Sequence, residues 1–445
     1  CLAHMSGNEM RYIQEAFDTN WVVPLGPNVN GFEDDLKRFV TSSSSSNKDE
    51  ASHRNEKYPQ TILPHENNPE SLWRESIKGL EDKHVVALCS GTAAVHLALI
   101  ALGVEAGDEV ICQSFTFCAS SHPVTYQGAK PVFVDSEKET WNMDPVLLEE
   151  AIKDRIAKTG KKPKAIIVVY LYGMPAKIKE ILAVADRYGI PVVEDAAEGL
   201  GSRYGGQVCG TFGEYGVLSF NGNKMITTSG GGALICPNEA ARNDVMFYAT
   251  QAREGYPYYQ HEKIGYNYRM SNVCAGIGRG QMTVLDEHIA HHRHIAHLYE
   301  EAFKKIEGID FHANPSSEYD SNYWLNTITL APSIKVRGQE NAYKTTVKGA
   351  VGGAAGVIHA VDSAHTDCEP NTNVEAMRVF LDKANIESRP LWKPMHKQPC
   401  YKDCPAYLNG VSESLFSKGM CLPSGPLVTD DDVRYIVETI QAAIE

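Results

Sequence analysis

The sequence predicts an α/β protein built on a mostly parallel sheet with helices on both faces. Three observations predict it. Short apolar runs at 85–88, 110–112, 132–134, 165–170, 191–194 and 217–220 alternate with helical segments at 93–102, 145–156 and 176–188. After Met270 this rhythm gives way to a long helical stretch, 275–305, and then to shorter elements that end in an amphipathic helix, 430–444. The 445 residues exceed a typical single domain, so a second, smaller α/β unit is expected at the C-terminal end.

Taken in order, residues 6–20 read as a capped helix with Met10, Ile13 and Phe17 on one face. Residues 26–31 read as a turn-rich loop, followed by a second helix at 32–40. From Ser42 to about Pro69, serines give way to Asn, Lys, Asp, Glu, His and Pro with few large apolar residues, which reads as a flexible insertion. Residues 335–372, rich in Gly, Ala, Thr and Asn, read as another. The division expected is an N-terminal helix, 1–20, packing with the small domain; a large domain, 21–290, with the insertion at 42–70; and a small C-terminal domain, 291–445, with the insertion at 335–372.

Hydrophobic content of 43% and charged content of 22% describe an ordinary globular protein. A net charge of −14 argues against a nucleic-acid surface, so an anionic ligand must meet a local positive site. No apolar run approaches the ~20 residues needed to span a bilayer, and no charged-then-apolar signal-peptide pattern is read at the start. The sequence opens on Cys1 rather than Met, so a short preceding piece is expected. The 11 cysteines form no CxxC pair, which fits reduced thiols in the cytoplasm.

The stretch 216–236 carries the first chemical signal. An apolar strand ends in Asn221-Gly222-Asn223, Lys224 follows, and Gly230-Gly231-Gly232 lead into another apolar strand. A lysine at a strand mouth, packed in small residues, can be desolvated and made to bond an aldehyde cofactor; otherwise it is a solvated loop lysine. Ser90-Gly91-Thr92 between a strand and a helix suits a phosphate, and equally a plain helix cap. Phe117 at the next strand mouth can stack on a flat ring or belong to the core. Asp195, at the end of an apolar strand, needs a partner when desolvated, such as a protonated pyridine nitrogen, or else caps the next helix. Ser219 can add a hydroxyl to the phosphate. Phosphate turn, aromatic, buried Asp and lysine together fit pyridoxal phosphate.

With these residues, and with Gly26-Pro-Asn-Val, Gly107-Asp-Glu-Val, 128–135, Tyr172-Gly, Glu194-Asp-Ala-Ala, Gly265-Tyr-Asn-Tyr-Arg-Met270 and, more weakly, 387–396, the sequence resembles the DegT/DnrJ/EryC1/StrS family of nucleotide-sugar aminotransferases. The resemblance implies the fold of the aspartate-aminotransferase-like, fold-type-I pyridoxal-phosphate enzymes. It implies that Lys224 bonds the cofactor and acts as base, and that Asp195 partners the ring nitrogen. Phe117 would stack on the ring, Gly91, Thr92 and Ser219 would hold the phosphate, and Glu198 would lie near the ring hydroxyl. A homodimer is implied, with Asn267 reaching the partner subunit's phosphate. The implied reaction moves an amino group from L-glutamate to a keto sugar on a nucleotide. The residues around Lys224 look most like the branch that makes 4-amino-4,6-dideoxy sugars on UDP.

Arg389, Lys393 and His396 are the nearest cations for a substrate diphosphate, with Trp392 against a ring; each also reads as part of a solvated basic loop. His288, His291, His292, His294 and His297 share a helix, which reads as solvent-facing rather than as a metal site. Two other functions are open. In a sugar dehydratase of the same fold a histidine replaces the lysine, so Lys224 speaks against it. A non-catalytic cofactor-binding regulator would need a DNA-binding element, and none stands out.

Overall fold

In the computed structural model, which describes residues 2–42, 80–343 and 368–445, the apolar runs pair as strands and the segments between them wind into helices. Along the chain these are α1 (Glu9–Asp18), α2 (Pro27–Thr41), β1 (His84–Leu88), α3 (Gly91–Ala101), β2 (Glu109–Gln113), α4 (His122–Tyr126), β3 (Lys130–Val134), α5 (Pro145–Thr159), β4 (Ala165–Val169), α6 (Ile178–Tyr188) and β5 (Val192–Asp195). Two short strands, β6 (Arg203–Tyr204) and β7 (Gln207–Val208), precede β8 (Tyr215–Ser219), β9 (Gly232–Cys236), α7 (Glu239–Ala249), α8 (Asn272–Met282) and α9 (Leu285–Phe303). The last part holds β10 (Ile309–Phe311), β11 (Tyr319–Asp320), β12 (Asn326–Leu330), α10 (Thr372–Lys383), β13 (Arg389–Pro390), β14 (Ala406–Tyr407), α11 (Val411–Lys418), β15 (Gly419–Leu422) and α12 (Asp430–Ala443).

Eight strands form one sheet in the order β1-β9-β8-β5-β4-β2-β3-β14. The pairs from β8 through β14 are parallel, while β9 runs against both β8 and β1. The sheet is buried on both faces because successive strand residues feed opposite cores. Ile166 and Val168 of β4 join one cluster; Ala165 and Ile167 join the other. A four-stranded antiparallel sheet, β10-β12-β15-β13, has its own core with α9, α10 and α12. Residues 419–422 enter it as an apolar strand, and α12, whose own N-terminus is closed by a Thr429–Asp432 capping box, packs into its core.

Several expectations change. The stretch 26–31 is not a loop: α2 starts at Pro27, with Gly26 at φ 136° before it. Proline suits the first helical position, where its missing N–H costs nothing. The cap comes from elsewhere, since Asn272 Oδ1 accepts the N–H groups of Asn28 and Val29 at 2.9 and 3.2 Å. The helical stretch 275–305 is two helices, α8 and α9. The principal contact of α1 is with α8, within 21–290, rather than with the four-stranded sheet. Small residues allow it: a Cβ on Gly280 would stand 2.7 Å from the Cα of Glu9. Met10 and Phe17 face outward, 65% and 59% exposed.

The histidine helix α9 does not face solvent throughout. His288 and His292 are buried. Their rings donate to the carbonyls of Met225 and Tyr323, at 3.2 and 3.0 Å. Among the described residues no group of three metal-ligating side chains converges, and no helix is long and apolar enough to cross a membrane. Of the insertion read at 42–70, all but Ser42 lies outside the described residues, and so does 344–367 of the one at 335–372. The described flank of the latter is tied down: Val336 bridges Ile444, and Gln339 Nε2 donates to Thr372 Oγ1 at 2.9 Å.

Candidate active site

The C-terminal ends of β5 and β8 lie side by side, with Asp195 opposite Val217. Asp195 ends β5 and is 5% exposed. Its Oδ2 accepts from Ser120 Oγ at 2.6 Å and its Oδ1 from the Ala197 N–H at 3.2 Å. Burial raises its pKa above the ordinary carboxylate value, against Ser120, the Ala197 N–H and the charge of Lys224, all of which lower it. Three residues on, past the end of the strand, Glu198 is equally buried. Its Oε2 accepts from the Tyr172 N–H at 2.7 Å and its Oε1 from Lys224 Nζ at 3.2 Å. Burial pushes its pKa up to about 7; Lys224 and the Tyr172 N–H oppose this, and the charge of Asp195 adds to it. Tyr172 makes its contact from a left-handed backbone, φ 55°, that a tyrosine rarely adopts.

Lys224 sits in the connection between β8 and β9. Because β9 turns back beside β8, this loop is tied at both ends, with the Phe220 N–H on the Gly231 carbonyl at 2.9 Å and the Thr228 N–H on the Phe220 carbonyl at 3.0 Å. The amine lies 4.0 Å from the ring centroid of Trp324. The Trp324 indole in turn donates to the Asn223 carbonyl at 2.6 Å. With His288 holding the Met225 carbonyl, the backbone on both sides of the lysine is gripped.

The helix α3 begins at the mouth of β1. Ser90 is its cap, with Oγ accepting from the Ala93 N–H at 3.1 Å. The first N–H groups of a helix have no intrahelical partner, which leaves those of Gly91 and Thr92 for an outside acceptor. A Cβ on Gly91 would stand 3.1 Å from the Cβ of Ser219, and one on Gly232 would stand 2.4 Å from the Gly91 nitrogen. Gly232, the last of the three glycines, therefore lets β9 press against this helix start. Phe117 is 54% exposed, and its ring lies 5.4 Å from that of Trp392. Trp392 also packs against Tyr172 and Trp324, at 5.1 and 6.3 Å.

Lys224, Asp195 and Glu198 thus come together, and so do Gly91 and Ser219, with Thr92 beside them half-buried. Asn267 is exposed and bridges Thr250 through its backbone. Arg389 is exposed and paired with Glu387 at 2.7 Å, and Lys393 is half-buried. His396 is turned inward, 2.6 Å from Ser114 Oγ and 3.1 Å from Glu413. Sequence reasoning passed over Ser120, Tyr172 as a carboxylate partner, and Trp324. Only Tyr172-Gly carried a signal; the other two depend on distant chain segments. The residues fit pyridoxal phosphate: a buried carboxylate for a charged ring nitrogen, an amine beside it, and a helix start that opens on a glycine for the phosphate.

Comparison with known proteins agrees. The chain is 40% identical over 441 residues to EpsN of Bacillus subtilis (strain 168), named as a pyridoxal phosphate-dependent aminotransferase, covering 98% of this chain and 93% of that one. It is 30% identical over 439 residues to the GDP-perosamine synthase of Escherichia coli O157:H7, covering 98% and 95%. A crystal structure of a DegT DnrJ EryC1 StrS aminotransferase from Brucella abortus shares the fold, with a TM-score of 0.75 at 24% identity over 98% of this chain and 95% of that one. The sequence profile of the family matches residues 66–348 and 357–441, so only 349–356 of the stretch read as a second insertion falls between the matched parts. The chain is an aminotransferase and belongs to the DegT/DnrJ/EryC1/StrS aminotransferase family.

Proposed function

We propose that the protein is a pyridoxal-phosphate-dependent sugar aminotransferase that moves an amino group from L-glutamate to a keto sugar carried on a nucleotide, a UDP-linked 4-keto-6-deoxy sugar in the first instance. We infer further that it works as a homodimer in the cytoplasm and serves cell-surface glycan synthesis. The observation that carries the reading is Lys224 beside two buried carboxylates at the C-terminal edge of a parallel sheet.

Pyridoxal phosphate, when bound, supplies an electron-withdrawing ring that eases loss of the proton from the donor carbon and carries nitrogen between the two substrates. Gly91 and Thr92 offer backbone N–H groups to its phosphate, and Thr92 and Ser219 offer hydroxyls. Asn267 serves the partner subunit's phosphate. Asp195, fixed by Ser120, keeps the ring nitrogen protonated. Phe117 would cover the ring face, and Glu198 would lie near the ring hydroxyl. Lys224 Nζ binds the cofactor and, when free, moves the proton away from the donor carbon. Arg389, Lys393 and His396 would supply the charge for the substrate diphosphate; for Arg389 that role requires it to leave Glu387, and for His396 that the ring leave Ser114 and Glu413.

The test incubates the cofactor-loaded protein with L-glutamate and a panel of 3-keto and 4-keto sugars on UDP, GDP and TDP, with products identified by mass spectrometry and NMR. Amination of a UDP-linked 4-keto sugar is expected. Preference for a GDP-linked substrate overturns the nucleotide, and a dehydrated product overturns the reaction.

A further inference from the structure

Glu198 has one carboxylate oxygen committed and one facing the lysine. Its Oε2 takes the Tyr172 N–H, while Oε1 stands 3.2 Å from Lys224 Nζ. The two side chains are 4% and 12% exposed. An ion pair so enclosed has lost most of its hydration on both sides, whereas the same atoms with the proton on oxygen carry no charge. Four ionisable groups act on the carboxyl. Asp195, on β5, disfavours a second negative charge beside it, and Lys224 favours one. Tyr172 and Cys421 of β15 are uncharged near neutrality, because burial raises the pKa of each.

We infer that Glu198 is the proton partner of Lys224: when the amine is free and charged, it passes one proton to Glu198 Oε1 and becomes a neutral base. The inference rests on the function proposed above. The Nζ–H bond breaks and its electron pair stays on nitrogen. An O–H bond forms on Oε1, and the pair changes from one positive and one negative charge to none. No outside reactant enters. The nitrogen lone pair is then free to take the proton from the donor carbon, and Glu198 returns its own proton when the amine is next charged. A pKa of about 7 places the carboxyl where it can hold and release a proton near neutrality.

The test compares wild type, Glu198→Gln and Glu198→Asp as cofactor-loaded proteins. Decay of the cofactor's visible band after mixing with L-glutamate is followed from about pH 6 to about pH 9. In wild type the rate should be nearly level above neutrality. In Glu198→Gln it should fall about 10²-fold at neutral pH and climb toward wild type as the medium becomes basic, because solvent must then remove the proton. Glu198→Asp should keep the level profile at a lower rate. A Gln variant slowed by one factor at every pH, or not slowed, overturns the proton role. A second reading needs neither turnover nor the variants. The infrared difference spectrum of wild type on adding L-glutamate should show a new protonated-carboxyl band, and its absence overturns the inference. A wild type whose visible band ignores L-glutamate overturns the function itself, which separates the two failures.

Discussion

Replacing His292 with Asn should flatten the acid side of the stability curve. His292 is 1% exposed on α9, and its Nδ1–H donates to the Tyr323 carbonyl at 3.0 Å. Burial drives its pKa from 6.5 down to about 3; the hydrogen bond opposes this, and neighbouring His291 and His288 add to it. The folded protein keeps the ring neutral, while the unfolded chain takes up a proton below pH 6.5. The stability tied to this neutral ring is therefore present above that pH and lost as the pH falls toward 3. At 1.36 kcal/mol per pH unit, the loss is about 2 kcal/mol by pH 5 and about 5 kcal/mol by pH 3. Asn keeps an N–H near the same place and has no proton to gain. Urea unfolding at about pH 7.5 and about pH 5 should show wild type losing about 2 kcal/mol more than His292→Asn between the two. Curves that fall in parallel refute the reasoning.

Lys224→Ala should abolish the visible absorption of the bound cofactor and slow amine transfer by about 10²–10⁴-fold or more, read by spectrum and product assay. Ser120→Ala removes the hydroxyl on Asp195 Oδ2; it should cost about 1–3 kcal/mol in a denaturant melt and weaken cofactor retention on dialysis. Gly232→Ala places a Cβ 2.4 Å from the Gly91 nitrogen. It should cost about 1–3 kcal/mol and weaken cofactor binding at least about tenfold by titration. Gly230→Ala, with nothing within 4 Å of its new Cβ, should be close to neutral.

The parallel sheet was legible because each of its central strands carries a short apolar run, as in Val110–Cys112 of β2 and the whole of β4, and that pattern depends on local sequence alone. Lys224 and Asp195 were legible because strand ends in such a sheet are marked by small residues and isolated charges. What the sequence concealed is what distant segments contribute. The cap of α2 comes from Asn272, so residues rich in turn formers became a helix. His288 and His292 of α9 look polar in the sequence, yet their ring N–H groups satisfy carbonyls beside Lys224 and Trp324, which makes their burial possible. Met10 and Phe17 satisfy a helical period, but α8 meets the other side of α1, through Glu9 and Gly280.

The Trp324 indole leaves the region of the four-stranded sheet to clasp Asn223, while its ring underlies the lysine amine. It is a built-in optical gauge. Its emission should be drained by a nearby chromophore that absorbs in the same range, so loading and unloading of the pocket can be watched without a label. Being fastened to the backbone one residue before the amine, it reports on the very segment that carries the lysine.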